Sequence, residues 1–125
     1  MTEAEILTFV REAFRSVWVL ELLLVLRRDP NKSWTVPDLV TALQASERII
    51  TDGLAALVSA GLAAERDKGL HQFAPASPVV AEIAEELVNL HARKPVAVVQ
   101  AILSAPNDKI RIFADAFRFN KGDRT

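Results

Sequence analysis

Few residues in this chain have the types and spacing that catalysis or metal binding requires. The strongest nitrogen ligands, His71 and His91, stand far apart with no third ligand, and the chain has no cysteine. Glu82, Glu85 and Glu86 have the spacing of a solvated helix face rather than of an acid–base pair. A nucleophile elbow, a phosphate-binding glycine loop and a zinc motif are all missing from the sequence. The sequence therefore predicts no enzyme, no metal site and no cofactor.

The composition predicts a single folded domain over residues 1–125. Half of the residues (50%) are hydrophobic, 15 Lys and Arg nearly balance 16 Asp and Glu, and the mean hydropathy is +0.18, which argues against disorder. The longest apolar run, residues 17–26, is about half the length of a bilayer span, and no signal-peptide pattern precedes it. We therefore expect a cytoplasmic protein that does not enter a membrane.

Two helices are predicted before the first proline. Residues 2–14 open with Thr2 and Glu5 at capping-box spacing and continue with apolar residues at helical intervals. Residues 16–28 are apolar on nearly every side, which predicts a helix that is buried or shared with a partner. Pro30 ends this helix.

Two short helices joined by a tight break follow in the middle of the chain. Trp34, interpreted as a core or capping aromatic, could form one strand-like bridge before Thr35 caps the first short helix. Ser46 is a good N-cap for the second, which runs to about residue 60, and Gly61 stands where a left-handed residue is favoured. The inner face of the second helix is predicted to consist of Ile50, Leu54, Leu57 and Val58. This pair is a helix-turn-helix candidate.

A hairpin and three further helices complete the prediction. Gly69 closes a turn between two short extended runs, as in a β-hairpin. Ser77 and Pro78 open a helix that runs to about residue 92. Pro95 opens another, with Val96, Val99 and either Ile102 or Leu103 as its apolar residues. A last helix is marked by Ile110, Phe113, Ala114 and Phe117.

Residues 17–75 resemble a winged helix-turn-helix of the broad bacterial MarR and ArsR type. The resemblance rests on the buried first helix, the Trp34-to-Leu39 entry to the second helix, Ser46, the wing tip 67–69 and above all the Leu54-to-Leu62 exit. It implies a mainly α fold with a small β-hairpin wing and extra helices at both ends. It also implies a transcription regulator that places the Ser46 helix in the major groove of double-stranded DNA. The DNA-facing residues implied by the resemblance are Ser46, Glu47, Arg48, Thr51 and Asp52 on this helix, with Arg66 and Lys68 on the wing.

The charge of this module leaves a second function open. Between residues 33 and 75 three basic residues stand against five acidic ones, and carboxylates near phosphates weaken DNA binding. Glu47 and Asp52 could accept hydrogen bonds from cytosine N4. Alternatively, they could meet a basic protein partner together with an exposed Ile49, so that the winged helix is a protein-interaction module.

The segments outside the module hold more apolar surface than a small winged helix needs. Residues 1–16 and 77–120 are therefore interpreted as helical extensions that form a homodimer, with Phe113, Phe117 and Phe119 in the interface. The alternative is that they wrap the same subunit. A symmetric dimer would double the basic contacts to DNA and could add Arg27, Arg28 and Lys32.

Overall fold

Six helices and one antiparallel hairpin make up the described part of the chain. The computed structural model describes residues 1–104, except for the side chain of Lys68. In chain order the elements are α1 (Glu3–Ala13), α2 (Val17–Arg28), α3 (Val36–Leu43), α4 (Glu47–Ser59), β1 (Ala63–Glu65), β2 (His71–Phe73), α5 (Pro78–Arg93) and α6 (Pro95–Leu103). The predicted fold class, mainly α with a small β wing, is confirmed. The predicted last helix with Ile110, Phe113, Ala114 and Phe117, and Phe119 after it, lie outside the described residues.

Side-chain caps fix where four of the helices begin. Thr2 forms the predicted capping box, in which its hydroxyl accepts from the Glu5 N–H at 3.2 Å and its own N–H donates to Glu5 Oε1 at 2.8 Å. Thr35, Ser46 and Ser77 each accept a backbone N–H three residues ahead, at 3.1, 3.2 and 3.2 Å. The four predicted caps are thus confirmed.

Helix α2 is the central element of the core. It packs against α3, α4, α6 and β2, and its side chains Val19, Leu20, Leu22, Leu23 and Leu26 are buried. The helix is not buried on every side, however, because Trp18 and Glu21 are exposed among the described residues. The sequence predicted that this helix is either buried or shared with a partner. In the structure one side of the helix is buried in the core, and the side that carries Trp18 is uncovered.

The extra N-terminal helix joins the same core. Ile6, Val10 and Phe14 are buried in one cluster with the α2 leucines, and α1 packs against α5 and α6. At the junction of α5 and α6, Lys94 Nζ lies 3.1 Å from Glu3 Oε1 and links the chain back to the start of α1. The apolar face of α1 is therefore used within this subunit.

The apolar face of α6 matches its prediction only in part, because Ile102 is on it and Val96 is not. Val98, Ala101 and Ile102 are buried, whereas Val96 and Leu103 are 66% and 64% exposed. The helix begins at Pro95 as predicted, but its inward direction is set by packing against α1 and α5. A run in which nearly every residue is apolar does not specify which side faces inward.

The helix-turn-helix pair is α3 and α4. They are joined by Gln44, which adopts the left-handed conformation at φ 54°, and by Ala45 and Ser46. The predicted inner residues Ile50, Leu54 and Leu57 are buried, but Val58 is 41% exposed, so its predicted place on this face is wrong. The buried side of α4 is centred on Ile50, Gly53 and Leu57. Because each residue turns the helix by about 100°, residue 58 points away from this side and towards solvent.

The wing is a two-stranded antiparallel sheet with a third short contact. Strands β1 and β2 pair Ala63 with Phe73 and Glu65 with His71, and one 3₁₀ turn, Asp67–Gly69, joins them. The predicted bridge of Trp34 is present on the other edge of β2, where its N–H donates to the His71 carbonyl at 2.7 Å and its carbonyl accepts at 2.8 Å. The hairpin is therefore anchored to the segment that enters α3.

A side-chain ion pair joins α2 to α5. Arg27 donates from Nε to Glu85 Oε2 at 2.9 Å and from a terminal nitrogen to the other carboxylate oxygen. These hydrogen bonds hold the pKa of Glu85 below its ordinary value. The side chain of Arg27 is thus held against α5 in this subunit.

We expect Glu85→Gln to lower the free energy of unfolding by no more than about 1 kcal/mol at neutral pH, because the two paired side chains are more than a third exposed. Folding lowers the pKa of Glu85, so its contribution is present above the unfolded value, about 4.3, and is lost as pH falls through the folded one. Urea unfolding at several pH values measures this difference. Glu82→Gln, on the same helix and exposed, is the control. A Glu85→Gln effect that persists in acid would contradict the ion-pair origin.

Candidate nucleic-acid interface

The exposed face of α4 carries most of the residues expected to contact DNA. Ser46, Glu47, Arg48, Thr51 and Asp52 are all exposed, whereas Ile50, Gly53, Leu54 and Leu57 on the opposite side are buried. The structure thus brings the five predicted α4 residues together in the first two turns of one helix. The opposite side of the same helix is packed into the core and fixes the position of these side chains.

Arg48 is the basic residue of this helix face. Its side chain is 90% exposed, and its Nε lies 3.8 Å from Asp52 Oδ2 one turn ahead. An exposed ion pair of this length contributes little to stability, so Arg48 is free to exchange Asp52 for another anion. Glu47, in contrast, occupies the first turn, where a negative charge also stabilises the helix dipole.

The wing residue Arg66 belongs to a short chain of hydrogen bonds. Its Nε donates to Gln72 Oε1 at 3.2 Å, and Gln72 Nε2 donates to the Pro30 carbonyl at 3.0 Å. These bonds orient the exposed Arg66 and connect the hairpin to the loop after α2. The structure describes the backbone of Lys68 in the 3₁₀ turn, but its side chain lies outside what is described.

A second cation near the wing is held by an aromatic ring. Lys32 Nζ lies 3.7 Å from the centroid of the Trp34 ring, a cation–π contact. Trp34 packs partly buried against the core, and its Nε1–H is buried with no acceptor among the described residues. The predicted core role of Trp34 thus holds in part, whereas its contact with Lys32 was not predicted.

Acidic residues outnumber basic ones in the body of the protein. Residues 1–104 contain 10 Lys and Arg against 13 Asp and Glu, a formal charge of −3, while residues 105–125 contain five basic and three acidic residues, a charge of +2. The described face therefore presents a few placed cations on an acidic background, unlike the broad basic surface of many nucleic-acid binders.

Comparison with protein-family models, with curated proteins and with solved structures finds no match to this chain in any of the three. Within residues 1–104, no helix has both the length and the apolar character needed to cross a bilayer. The same part of the chain contains no group of three His, Asp or Glu side chains placed to hold a metal ion.

An apolar groove lies next to α4 and was missed by the sequence analysis. We call it the Trp18 groove: it is open to solvent and has a volume of about 910 Å³ between the α1–α2 corner and α4. Its apolar lining includes Phe9, Ala13, Trp18, Ile49, Gly53 and Ala56, and its charged lining is Glu12, Arg15 and Asp52. Ile49, expected to be exposed, is instead half-buried against the core. The all-apolar pattern of α2 was the available signal, but it did not indicate which side stays uncovered.

Gly53 sets how closely α4 approaches α2. A Cβ atom added at Gly53 would lie 2.4 Å from Leu22 Cδ1, and Leu22 is fully buried. We expect Gly53→Ala to lower the free energy of unfolding by about 1–2 kcal/mol, because overpacking exceeds the higher helix propensity of alanine. Chemical denaturation measures this change. The double variant with Leu22→Val should lose less stability than the sum of the single variants, and an unchanged Gly53→Ala protein would show that the helices can separate without cost.

Proposed function

We propose that this protein is a DNA-binding transcription regulator of the MarR and ArsR-like winged-helix type. The observation that supports it is the exposed N-terminal half of α4, which carries Arg48, Thr51 and Asp52 on a helix supported from behind by α2 and α3. A helix exposed in this way can enter a major groove, which is about 12 Å wide. The hairpin that follows α4 is the expected wing.

In this proposal the residues have different tasks. Arg48 donates to a base edge, with guanine as its best partner, and Ser46 and Thr51 contact bases or phosphates. Arg66, oriented by Gln72, and Lys68 contact the DNA backbone. Glu47 and Asp52 then favour cytosine over the other bases, because a carboxylate accepts a hydrogen bond from cytosine N4. They therefore contribute to specificity rather than to affinity.

A homodimer in the cytoplasm is part of the same proposal. Val79, Val96 and Leu103 are exposed apolar residues of α5 and α6 among the described residues, which supports an interface formed by the C-terminal extension. Two copies would present two α4 helices and would double the number of placed cations. Arg28 and Lys32 are exposed and could contribute, whereas Arg27 is already bound to Glu85.

The second candidate function is the binding of a basic protein through α4. The net charge of −3 over residues 1–104 favours it, as do the exposed carboxylates Glu47 and Asp52. The half-buried Ile49 offers such a partner less apolar contact than the sequence suggested.

Electrophoretic mobility shifts against genomic fragments at low and high salt test the DNA-binding proposal. We expect a small set of fragments to be retained, with an affinity that falls as salt rises because phosphate contacts release counterions. Light scattering of the free protein should give the mass of a dimer. Failure to retain any fragment at low salt would contradict DNA binding and favour the protein-binding candidate.

A further inference from the structure

Gln72 connects the wing to the loop that follows α2. Its Oε1 accepts the Arg66 Nε–H at 3.2 Å, and its Nε2 donates to the Pro30 carbonyl at 3.0 Å. An Nε–H can only donate and a carbonyl can only accept, so these two partners determine which end of the Gln72 amide carries its nitrogen. A side chain that forms both bonds needs a donor and an acceptor at its tip. Glutamine has both, whereas an ionised glutamate has acceptors alone.

The backbone that carries Gln72 is fixed on both edges of its strand. Gln72 pairs with Ala64 of β1, and its neighbour His71 exchanges two hydrogen bonds with Trp34 on the other edge of β2. Side chains alternate between the two faces of a strand, so Gln72 lies opposite Phe73, which packs against the core. The amide of Gln72 therefore extends from a held strand over the outer face of the wing.

The bond from Gln72 orients Arg66 without neutralising its charge. Arg66 is exposed and stands in the sequence between the exposed residues Glu65 and Asp67. An ion pair with either carboxylate would offset the charge of the guanidinium, whereas the amide of Gln72 is neutral and occupies the Nε–H. The terminal nitrogens of Arg66 keep the N–H donors that bind a phosphate in bidentate fashion.

An arginine held in this way binds a phosphate at a lower entropic cost. A long side chain loses rotamer freedom when an interface immobilises it, and the bond to Gln72 removes part of that freedom before DNA arrives. We propose that Gln72 is the positioning residue of the wing, which directs the terminal nitrogens of Arg66 towards the DNA backbone. Gln72 acts through Arg66, and its bond to Pro30 holds it in place. This inference rests on the proposed DNA binding.

A double-mutant cycle in the full-length chain tests this role. The dissociation constant is measured for a retained genomic fragment and for a duplex of arbitrary sequence, over a range of salt concentrations. We expect Gln72→Ala to weaken binding of both DNAs about two- to tenfold and to leave the salt dependence unchanged, because no charge is lost. Arg66→Ala should weaken binding at least as much and should reduce the slope of log affinity against log salt by about 0.9, the value for one phosphate contact. In the Arg66→Ala background, Gln72→Ala should have no further effect.

Gln100→Ala, at an exposed glutamine of α6, is the matched control and should leave DNA binding unchanged. Circular dichroism should show that all variants keep their helices. A readout without DNA is the solvent exchange of the arginine Nε–H by NMR. In the unmodified protein this proton should exchange more slowly in Arg66 than in the exposed Arg93, and Gln72→Ala should remove the difference.

Three results would overturn the role of Gln72 while DNA binding stands. They are an unchanged affinity of Gln72→Ala, an equal loss of affinity in both backgrounds of the cycle, and equal exchange rates of Arg66 and Arg93 in the unmodified protein. An equal loss in both backgrounds would show that Gln72 supports the fold of the wing instead of acting through Arg66. If the unmodified protein bound neither DNA, although its Arg66 Nε–H exchanged slowly, the proposed function itself would be contradicted.

Discussion

Replacing Leu57 with alanine is expected to lower the free energy of unfolding by about 2–5 kcal/mol, the range for a large-to-small change in a packed core. Leu57 is fully buried, and its helix packs against α2, α3 and β1. The Leu57 carbonyl also accepts the Leu62 N–H at 2.9 Å, at the point where the chain turns from α4 into the wing. Loss of the side chain therefore weakens the junction of the helix-turn-helix and the hairpin. Urea or thermal unfolding measures the change.

Val58→Ala is the matched control for this prediction. It removes apolar atoms from the next residue of the same helix, but Val58 is 41% exposed. We expect a change within about 0.5 kcal/mol, as for a typical surface substitution. If Leu57→Ala left the unfolding midpoint unchanged, or if both variants were equally destabilised, the orientation of α4 would be wrong.

Local signals predicted the element boundaries of this protein well. Thr2, Thr35, Ser46 and Ser77 each supply a hydroxyl that satisfies a free N–H at a helix start, and this chemistry is complete within four residues. Gly61 and Gly69 likewise adopt positive φ angles of 77° and 76° at the turns where glycine was expected. Such features depend on neighbours in sequence, so the sequence alone reveals them.

Features that depend on packing between distant helices were predicted less well. Val58 and Val96 are apolar residues in helical patterns, yet both are exposed, because neighbouring helices determine which side of an apolar run faces inward. The same holds for the site. The exposed row from Ser46 to Asp52 follows from helix periodicity, whereas the Trp18 groove depends on how α1, α2 and α4 meet.

Arg48→Ala is the substitution that decides between the two candidate functions. If α4 reads DNA, this change should weaken specific binding by about 1–3 kcal/mol, the value of a good base contact. The fold should be unaffected, because the Arg48 side chain is 90% exposed and its contact with Asp52 spans 3.8 Å. The measurement is the dissociation constant for a retained genomic fragment at fixed salt, with circular dichroism as the check on folding.

Arg93→Ala removes the same charge from an exposed position at the end of α5 and serves as the matched control. If net positive charge alone mattered, both variants would weaken DNA binding equally. A base contact at Arg48 instead weakens the retained fragment selectively and leaves nonspecific DNA almost unchanged. Unchanged binding of the retained fragment by Arg48→Ala would contradict the role proposed for this residue. In that case the double change Glu47→Lys and Asp52→Lys should abolish binding of a basic protein partner, since both carboxylates on α4 would then repel it.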